Sequence, residues 1–285
     1  MTRTEPDSIP QLSAEAFVRF ARFITEELGI KMPDSKLSMV RSRLTRRVRE
    51  LQLDSLDAYA DYLFHSPDAQ AERTEFIDAI TTNKTDFFRE PQHYEYLIGT
   101  VLPALARGPG GVGNHFRVWS AGCSSGEEAY TLAMLLSEHR ILAPGFDFSI
   151  LATDVSTRIL AQARKGIYDV SRIGPIRPNL RRRYLMQGKR GGQAQVRMVP
   201  ALRQRVSFHR LNFMDPDYHV HDMFDAIFFR NVMIYFDRPT QEAVIQKLCR
   251  NLTPQGHLFI GHSETLAGLN VPVSVVQAAV YRKRS

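Results

Sequence analysis

The chain of 285 residues is predicted to fold as an all-α N-terminal domain followed by an α/β domain with a doubly wound parallel sheet. Apolar residues recur at helical spacing over residues 1–90, whereas strand-like and helix-like segments alternate from residue 115 onward. A basic stretch at about 167–204 interrupts this alternation and has β-strand character. We therefore assign residues 1–90 to a helical domain, 91–114 to a linker, and 115–285 to the α/β domain with a small β-rich insertion.

The predicted helical domain has clear helix boundaries and one basic helix. Ser13 has the side chain of an N-cap, and Gly29 suits the left-handed position after a helix end. The second helix presents Arg43, Arg46 and Arg47 on the side opposite its apolar face. The four helices are predicted between Ser13 and Gly29 and at about 35–51, 55–64 and 69–81.

The predicted α/β domain begins after a Gly/Pro-rich stretch, ARGPGGVGN at 106–114, which is typical of a linker or loop. The last strand is expected to pair antiparallel with the strand before it, because the connection between them is short. Within the insertion, GKRGGQ is predicted to turn a hairpin. The predicted strands are HFRVWSAG, DFSILATDV, VSFHRL, FDAIFFR, GHLFIGHS and VSVVQAAVYRKR, and the helices are GEEAYTLAMLLSEH, TRILAQARKG and RPTQEAVIQKLCRNL.

The net charge of +7 is concentrated in one part of the chain. Residues 158–210 contain fourteen Lys or Arg and one acid, Asp169, whereas the rest has 23 basic and 29 acidic residues. Such a patch indicates either an acidic partner, such as nucleic acid, an anionic membrane or an acidic protein, or simply a solvated basic surface.

Composition also indicates a cytoplasmic protein. No window of 18 continuous apolar residues is present, so no membrane span is predicted. The N-terminal MTRTEPDSIP lacks the apolar core of a signal peptide. The two cysteines, Cys123 and Cys249, form no metal-binding motif, which fits a reducing compartment.

Candidate ligand-binding residues follow the predicted strands, where α/β sheets bind their ligands. Glycines after the first strand allow a close backbone approach, and an acid after the second can accept hydrogen bonds from ribose hydroxyls. An Asn and an aromatic side chain suit the edge and face of adenine. The candidates are Gly122, Gly126 and Glu127, then Asp154, then Asn212 and Phe213, and finally Asn231 and Tyr235.

The charge of the first loop favours one nucleoside cofactor over others. AGCSSGEEAY has no Lys for phosphates, and its G-x-x-x-G spacing is not the dinucleotide fingerprint. Glu127 and Glu128 would repel a pyrophosphate and attract a cation. S-adenosylmethionine carries a sulfonium and an ammonium and no phosphate, so it is favoured over NAD.

Each of these residues also has a purely structural interpretation. Glu127 could complement a helix dipole, and Asp154 could cap the helix that begins near Ser156. Phe87 and Phe88 are more often core residues than pocket walls, and Cys123 has no neighbour that marks it as a nucleophile.

Taken together, the motifs resemble the chemotaxis receptor glutamate O-methyltransferase family of the CheR type. The resemblance implies a Rossmann-like S-adenosylmethionine-dependent methyltransferase domain with a small β subdomain, preceded by a helical domain. It extends over nearly the whole chain. The matching stretches are TTNKTDFFRE at 81–90, VWSAGCSSGEEAY at 118–130, LATD at 151–154, FFRNVMIYF at 228–236 and LTPQGHLFIGHSE at 252–264.

The resemblance also implies roles for individual residues. Tyr235 and Arg89 are the implied catalytic residues, with Tyr235 near the transferred methyl. Arg43, Arg46 and Arg47 would dock on the substrate, and Lys84 and Asp86 depart from the usual pattern and should face solvent. The implied cofactor-binding residues, some of them at a seam between the domains, are Asn83, Thr85, Arg89, Gly122, Glu127, Asp154, Asn212, Phe213, Asn231 and Val232.

The implied reaction transfers a methyl group from S-adenosylmethionine to glutamate side chains of chemoreceptor cytoplasmic domains, leaving S-adenosylhomocysteine. The implied partner is the acidic helical bundle of a methyl-accepting receptor, with the β insertion as a candidate site for a receptor C-terminal tail. We expect no metal, no nucleic acid, no membrane insertion and a monomer. The alternatives are a nucleic-acid methyltransferase that uses the basic insertion and a non-catalytic, cofactor-binding scaffold that docks receptors.

Overall fold

The structure is a computed structural model that describes residues 11–106, 115–190 and 193–284. The chain divides into two compact units. The first ends at Thr82 and includes Tyr235–Asp237, and the second comprises Asn83–Ile234 and the chain from Arg238 onward. The helical unit is therefore shorter than the predicted 1–90, and most of TTNKTDFFRE belongs to the second unit.

The first unit is built from the four helices that the sequence predicts, joined by short 3-10 turns. The Ser13 hydroxyl accepts a hydrogen bond from the Ala16 amide, and Gly29 ends the first helix at φ +68°. In the core, the Phe20 ring stacks on Phe76 with 5.5 Å between centroids. The helices are α1 Ala14–Leu28, α2 Leu37–Glu50, α3 Leu56–His65 and α4 Gln70–Ile80.

The prediction of a linker at 91–114 is wrong for its first part. Helix α5, Pro91–Tyr96, continues through a π-helical turn into α6, Leu102–Ala106. Pro91 starts this helix at a position where a proline costs no hydrogen bond, and Leu97 is buried in the core of the second unit. The remaining Gly/Pro-rich residues, 107–114, lie outside the described residues.

A seven-stranded sheet in the order β6-β2-β1-β7-β8-β10-β9 forms the centre of the second unit. Strands β6, β2, β1, β7 and β8 are parallel, so their carboxyl ends share one edge. Helices α7 Glu127–Leu142, α8 Thr157–Lys165 and α11 Arg238–Arg250 follow the predicted pattern. The strands are β1 His115–Ala121, β2 Asp147–Asp154, β6 Val206–Arg210, β7 Phe224–Phe229, β8 Leu252–Ile260, β9 Val273–Gln277 and β10 Val280–Lys283.

The single last strand that the sequence predicts is in fact two strands. β9 and β10 form a tight antiparallel pair, with Ala279 between them at φ +58°. Strand β10 lies against β8 and β9 forms the edge. The predicted antiparallel pairing with β8 is therefore confirmed only for β10. The sequence does not reveal this turn because Ala278 and Ala279 carry no turn signal.

The insertion contains a second, three-stranded antiparallel sheet in the order β3-β5-β4. Its strands are β3 Ile167–Asp169, β4 Leu185–Arg190 and β5 Gln193–Met198. Two short helices that were not predicted, α9 Pro178–Tyr184 and α10 Pro200–Arg203, flank them. The glycine pair of the predicted hairpin, 191–192, lies outside the described residues. Among the described residues, no helix is long and apolar enough to cross a membrane.

Candidate functional site

Three predicted residues from separate loops meet at the carboxyl edge of the sheet. Gly122, directly after β1, has φ +82°, and a Cβ built on it would lie 2.6 Å from a Val232 methyl. The same Cβ would lie 3.9 Å from the Phe213 ring. A side chain at position 122 would thus fill the space between the loops after β1, β6 and β7. Only glycine at position 122 leaves this space open to a ligand, and we call the space the glycine cradle.

Asp154 ends β2 and holds two loops through its carboxylate. One oxygen accepts from the Ser124 amide at 2.9 Å, and the other accepts from the Ser156 amide at 3.0 Å. The cap of α8 is Ser156, whose hydroxyl accepts from the Ile159 amide, so Asp154 is not the cap. A carboxylate can accept about four hydrogen bonds. Asp154 therefore shapes the loop after β1, and its role at ribose hydroxyls stays a prediction.

Glu127 opens α7 and is fully buried. Its carboxylate accepts from the Ser125 hydroxyl at 2.6 Å and from the Arg172 guanidinium at 2.7 Å. Burial raises the pKa of Glu127, while Ser125 and Arg172 act in the opposite direction. Sequence analysis did not identify Arg172, because it lies 45 residues away in the basic segment.

The second loop carboxylate, Glu128, belongs to a buried ionic cluster instead. Arg230 lies 3.2 Å from Glu128 and 3.1 Å from Glu90, and it also donates to the Tyr94 hydroxyl and the Arg89 carbonyl. Burial raises the pKa of Glu128, partly offset by Arg230. Burial also opposes ionisation of Glu90, but Arg230 and hydrogen-bond donors hold its pKa below the ordinary value. This cluster joins TTNKTDFFRE, α7 and FFRNVMIYF.

Glu264, in the motif GHSE, orients the loop after β7. Its carboxylate accepts hydrogen bonds from the backbone amides of Asn231 at 2.9 Å and Gly261 at 2.6 Å. Asn231 has φ +60°, a conformation that Asn tolerates better than most residues. Glu264 lies in the matching stretch LTPQGHLFIGHSE, and no role was predicted for it.

Asn212 and Phe213 follow β6 and are buried. The Asn212 side-chain oxygen accepts from the Met214 amide at 3.1 Å, and Phe213 packs edge-on against Phe229 at 4.9 Å. The loop is thereby held in place at the carboxyl edge of the sheet. Their roles at adenine stay a prediction.

Residues 83–90 begin the second unit and are held in it by backbone carbonyls and by a buried ring. The Asn83 carbonyl accepts from the Ser124 hydroxyl at 3.0 Å, and the Thr85 carbonyl accepts from Arg172 at 2.6 Å. Phe87 is a core residue, 4.9 Å from the Tyr168 ring. The expectation that Lys84 and Asp86 face solvent is confirmed, since both side chains are exposed.

Arg89 and Tyr235, the predicted catalytic pair, lie in different units. Arg89 is half-buried, and its guanidinium reaches the Lys84 carbonyl at 3.4 Å. The Tyr235 carbonyl accepts from the Lys31 amide at 2.9 Å within the first unit. Their catalytic roles stay predictions.

The three predicted docking arginines differ in what they contact. Arg47 makes a bidentate pair with buried Glu72 at 2.6 and 2.9 Å, and Arg43 donates to the Ile80 carbonyl and to the Thr82 hydroxyl. Arg46 is 76% exposed and, within the described part of the chain, pairs with Glu50 on its own helix. Arg46 is therefore the accessible member of the set, whereas Arg43 and Arg47 form their contacts inside the first unit.

Glu90, His93 and His262 bring their ligand atoms within 4.8 Å of one another. Both ring nitrogens of buried His93 lack a hydrogen-bond partner among the described residues. Burial and the charge of Arg230 lower the pKa of His93 to about 3, so the ring is neutral. Because Arg230 pairs with Glu90, its positive charge disfavours a divalent cation here. The absence of a resident metal stays a prediction.

Cys123 lies in the same loop as Gly122 and is buried. Burial, together with the neighbouring carboxylates, raises the pKa of its thiol well above the ordinary value. A thiol held in the protonated form is a poor nucleophile, so Cys123 is a packing residue.

The site fits S-adenosylmethionine by its shape and charge. The glycine cradle admits a close ligand, and the edge carries the carboxylates of Glu127 and Asp154. A parallel sheet with Asp154 and Glu127 at its carboxyl edge is the arrangement expected of an S-adenosylmethionine-dependent methyltransferase, the class of protein that this fold and site indicate.

Comparison with known proteins identifies the family. Residues 83–282 match the CheR methyltransferase SAM binding domain, and residues 15–81 match the CheR methyltransferase all-alpha domain. A chemotaxis protein methyltransferase of Salmonella typhimurium is 39% identical over 270 residues, covering 95% of this chain and 90% of the relative. The chemotaxis protein methyltransferase of Escherichia coli is 38% identical over 95% of this chain and 91% of its own length. Chemotaxis protein methyltransferase 2 of Pseudomonas aeruginosa is 37% identical over 89% and 87%. The chain belongs to the CheR methyltransferase family.

Proposed function

We propose that the protein methylates glutamate side chains on the cytoplasmic helical bundle of chemoreceptors, acting in the cytoplasm. The observation that carries the proposal is the carboxylate-rich sheet edge, where Asp154 and Glu127 flank the glycine cradle at Gly122. This chemistry suits a cationic nucleoside cofactor. The chemotaxis methyltransferases that resemble the chain over most of its length support a receptor as substrate.

The chain's own task in this reaction is positioning. Bound S-adenosylmethionine supplies an electrophilic methyl group. A glutamate with an ordinary pKa of about 4.3 is already ionised at neutral pH, so the site needs no general base. Tyr235 is proposed to orient the substrate carboxylate, because an arginine bound tightly to it would weaken it as a nucleophile. Alignment and exclusion of water then account for most of the rate.

The first test follows labelled methyl from S-adenosylmethionine to a purified receptor cytoplasmic fragment, with bulk RNA as a parallel substrate. Mild base should release the label from the receptor as methanol, because carboxyl esters are base-labile. Stable label on RNA would instead establish a nucleic-acid methyltransferase. Absence of transfer to several receptor fragments, with cofactor binding intact, would favour the non-catalytic scaffold.

In the same assay Tyr235→Phe should lower kcat at least about tenfold, since one hydrogen bond to a charged group contributes about 1.5–3 kcal/mol. Affinity for S-adenosylhomocysteine should stay unchanged. Tyr62→Phe, which removes a half-buried hydroxyl elsewhere in the first unit, is the control. An unchanged kcat for Tyr235→Phe would remove this tyrosine from the mechanism.

The hydrogen bonds that the basic segment, residues 158–210, forms within the protein weaken the nucleic-acid alternative. Six of its fourteen Lys and Arg side chains donate to backbone carbonyls or carboxylates of the second unit. Such contacts compete with binding to a continuous phosphate backbone. The six are Arg164, Arg172, Arg181, Arg183, Arg197 and Arg205.

The β insertion is a proposed site for a receptor tail. Strand β4 is an edge of the three-stranded sheet, and an extended peptide can add to such an edge. Receptor fragments with and without their C-terminal tail can be compared in the methyl-transfer assay. Equal KM values for the two fragments would refute a role for the tail.

Docking on an acidic receptor helix is proposed for the exposed face of α2. Arg46→Glu should weaken receptor binding severalfold at low salt, with less effect at high salt, because exposed charges are screened. Arg22→Glu is a closely matched control: Arg22 is 77% exposed and pairs with Glu26 four residues on, as Arg46 pairs with Glu50. Equal effects of the two variants on receptor affinity would contradict docking at α2.

A further inference from the structure

Arg172 connects the β insertion to the loop after β1. It lies in the 3-10 turn Val170–Ile173, directly after β3. Its Nη2 donates to the Thr85 carbonyl at 2.6 Å and to Glu127 at 2.7 Å, and it lies 3.7 Å from Asp86. One side chain of the insertion therefore contacts two of the segments that carry predicted cofactor-binding residues.

The guanidinium has further hydrogen-bonding capacity beyond these contacts. Every recorded contact of Arg172 uses Nη2, and among the described residues neither Nε nor Nη1 has a hydrogen-bond partner. The side chain is 40% exposed, whereas Glu127 is completely buried. An arginine has five N–H donors in a fork that matches a carboxylate. Arg172 can thus bind a second anion without losing its contact with Glu127.

The amino-acid end of S-adenosylmethionine carries both charges that this pair can bind. Its ammonium suits the carboxylate of Glu127, and its carboxylate needs a cation nearby. Arg89, one of the cofactor-binding residues that the resemblance implies, donates to the Lys84 carbonyl at 3.4 Å. The arginine in direct contact with Glu127 is Arg172.

We propose that Arg172 binds the carboxylate of the cofactor's amino-acid end beside Glu127, so that the β insertion supplies part of the cofactor site. This inference rests on the cofactor assigned above. Because charge-assisted bidentate pairs are strong and geometrically specific, Arg172 would also fix the orientation of the amino-acid end.

The test compares two ligands by isothermal titration calorimetry. S-adenosylhomocysteine has the amino-acid end, and 5′-methylthioadenosine has the same nucleoside without it. Arg172→Gln should raise the Kd for S-adenosylhomocysteine about tenfold or more and leave the Kd for 5′-methylthioadenosine unchanged. The control is Arg177→Gln, an exposed arginine of the same segment, which should change neither.

Three results would overturn the proposal. Equal weakening of both ligands would mean that Arg172 only supports the loop. An unchanged Kd would exclude a role in binding, and a lower Kd for S-adenosylhomocysteine would mean that Arg172 competes with the ammonium for Glu127. If the unmodified protein bound neither ligand, the proposed function itself would fail, so the two failures can be told apart.

Discussion

Arg230→Met should lower the free energy of unfolding by about 3–5 kcal/mol, the usual cost of removing one partner from a buried ion pair. Arg230 is almost completely buried and pairs with both Glu90 and Glu128. Methionine fills similar space but leaves two carboxylates together without a cation. Trp119, the only tryptophan of the chain, is buried in the second unit, so its fluorescence during urea denaturation reports this unit.

Two further variants test the cause of that loss. Arg183→Met removes a half-exposed partner of Glu138 and should change stability much less than Arg230→Met, because water screens an exposed ion pair. Combining Arg230→Met with Glu90→Gln and Glu128→Gln should recover part of the loss, because the uncompensated charges are then absent. A triple variant no more stable than Arg230→Met would show that shape and hydrogen bonding, rather than charge, make Arg230 necessary.

Asp154→Asn should raise the Kd for S-adenosylhomocysteine on the order of 10- to 100-fold, corresponding to about 1.5–3 kcal/mol for a charged hydrogen bond. The carboxylate accepts from the Ser124 and Ser156 amides. An amide has only one acceptor oxygen, so one of these donors would face an NH₂ group. The ribose would also lose a charged acceptor. Calorimetric titration of the folded variant measures the effect.

The control for Asp154→Asn lies at the other end of the same strand. Asp147 begins β2 and pairs with Arg205 at 2.7 Å, far along the strand from the carboxyl edge. Asp147→Asn should leave the Kd unchanged. If Asp154→Asn bound S-adenosylhomocysteine as tightly as the unmodified chain, Asp154 would be a loop-holding residue rather than a cofactor ligand.

Features that depend on neighbouring residues were predictable from the sequence. Ser13 and Gly29 delimit α1 as expected, since caps act on amides and carbonyls within one turn. The alternation of strands with helices predicted a parallel sheet. In such a sheet the residues that follow the strands lie at one edge, and these include Gly122, Asp154, Asn212 and Asn231. The motifs then identified the family, which the comparisons confirm.

Pairings between distant residues were not predictable. Arg230 meets Glu90 across 140 residues, and Arg172 meets Glu127 across 45. In the same way, the pairing of Arg47 with Glu72 was not predictable, because Glu72 lies on another helix.

By itself, therefore, the sequence determined the four helices of the first unit, the parallel strands with α7, α8 and α11, the family, and the loops at the carboxyl edge of the sheet. Only the tertiary structure decided which charges are paired inside the protein, which arginines remain accessible, and that β10 lies between β8 and β9. The physical reason is the distance along the chain over which each kind of interaction acts. Caps and periodicity act within a few residues, whereas packing and ion pairing depend on which distant side chains the fold brings together.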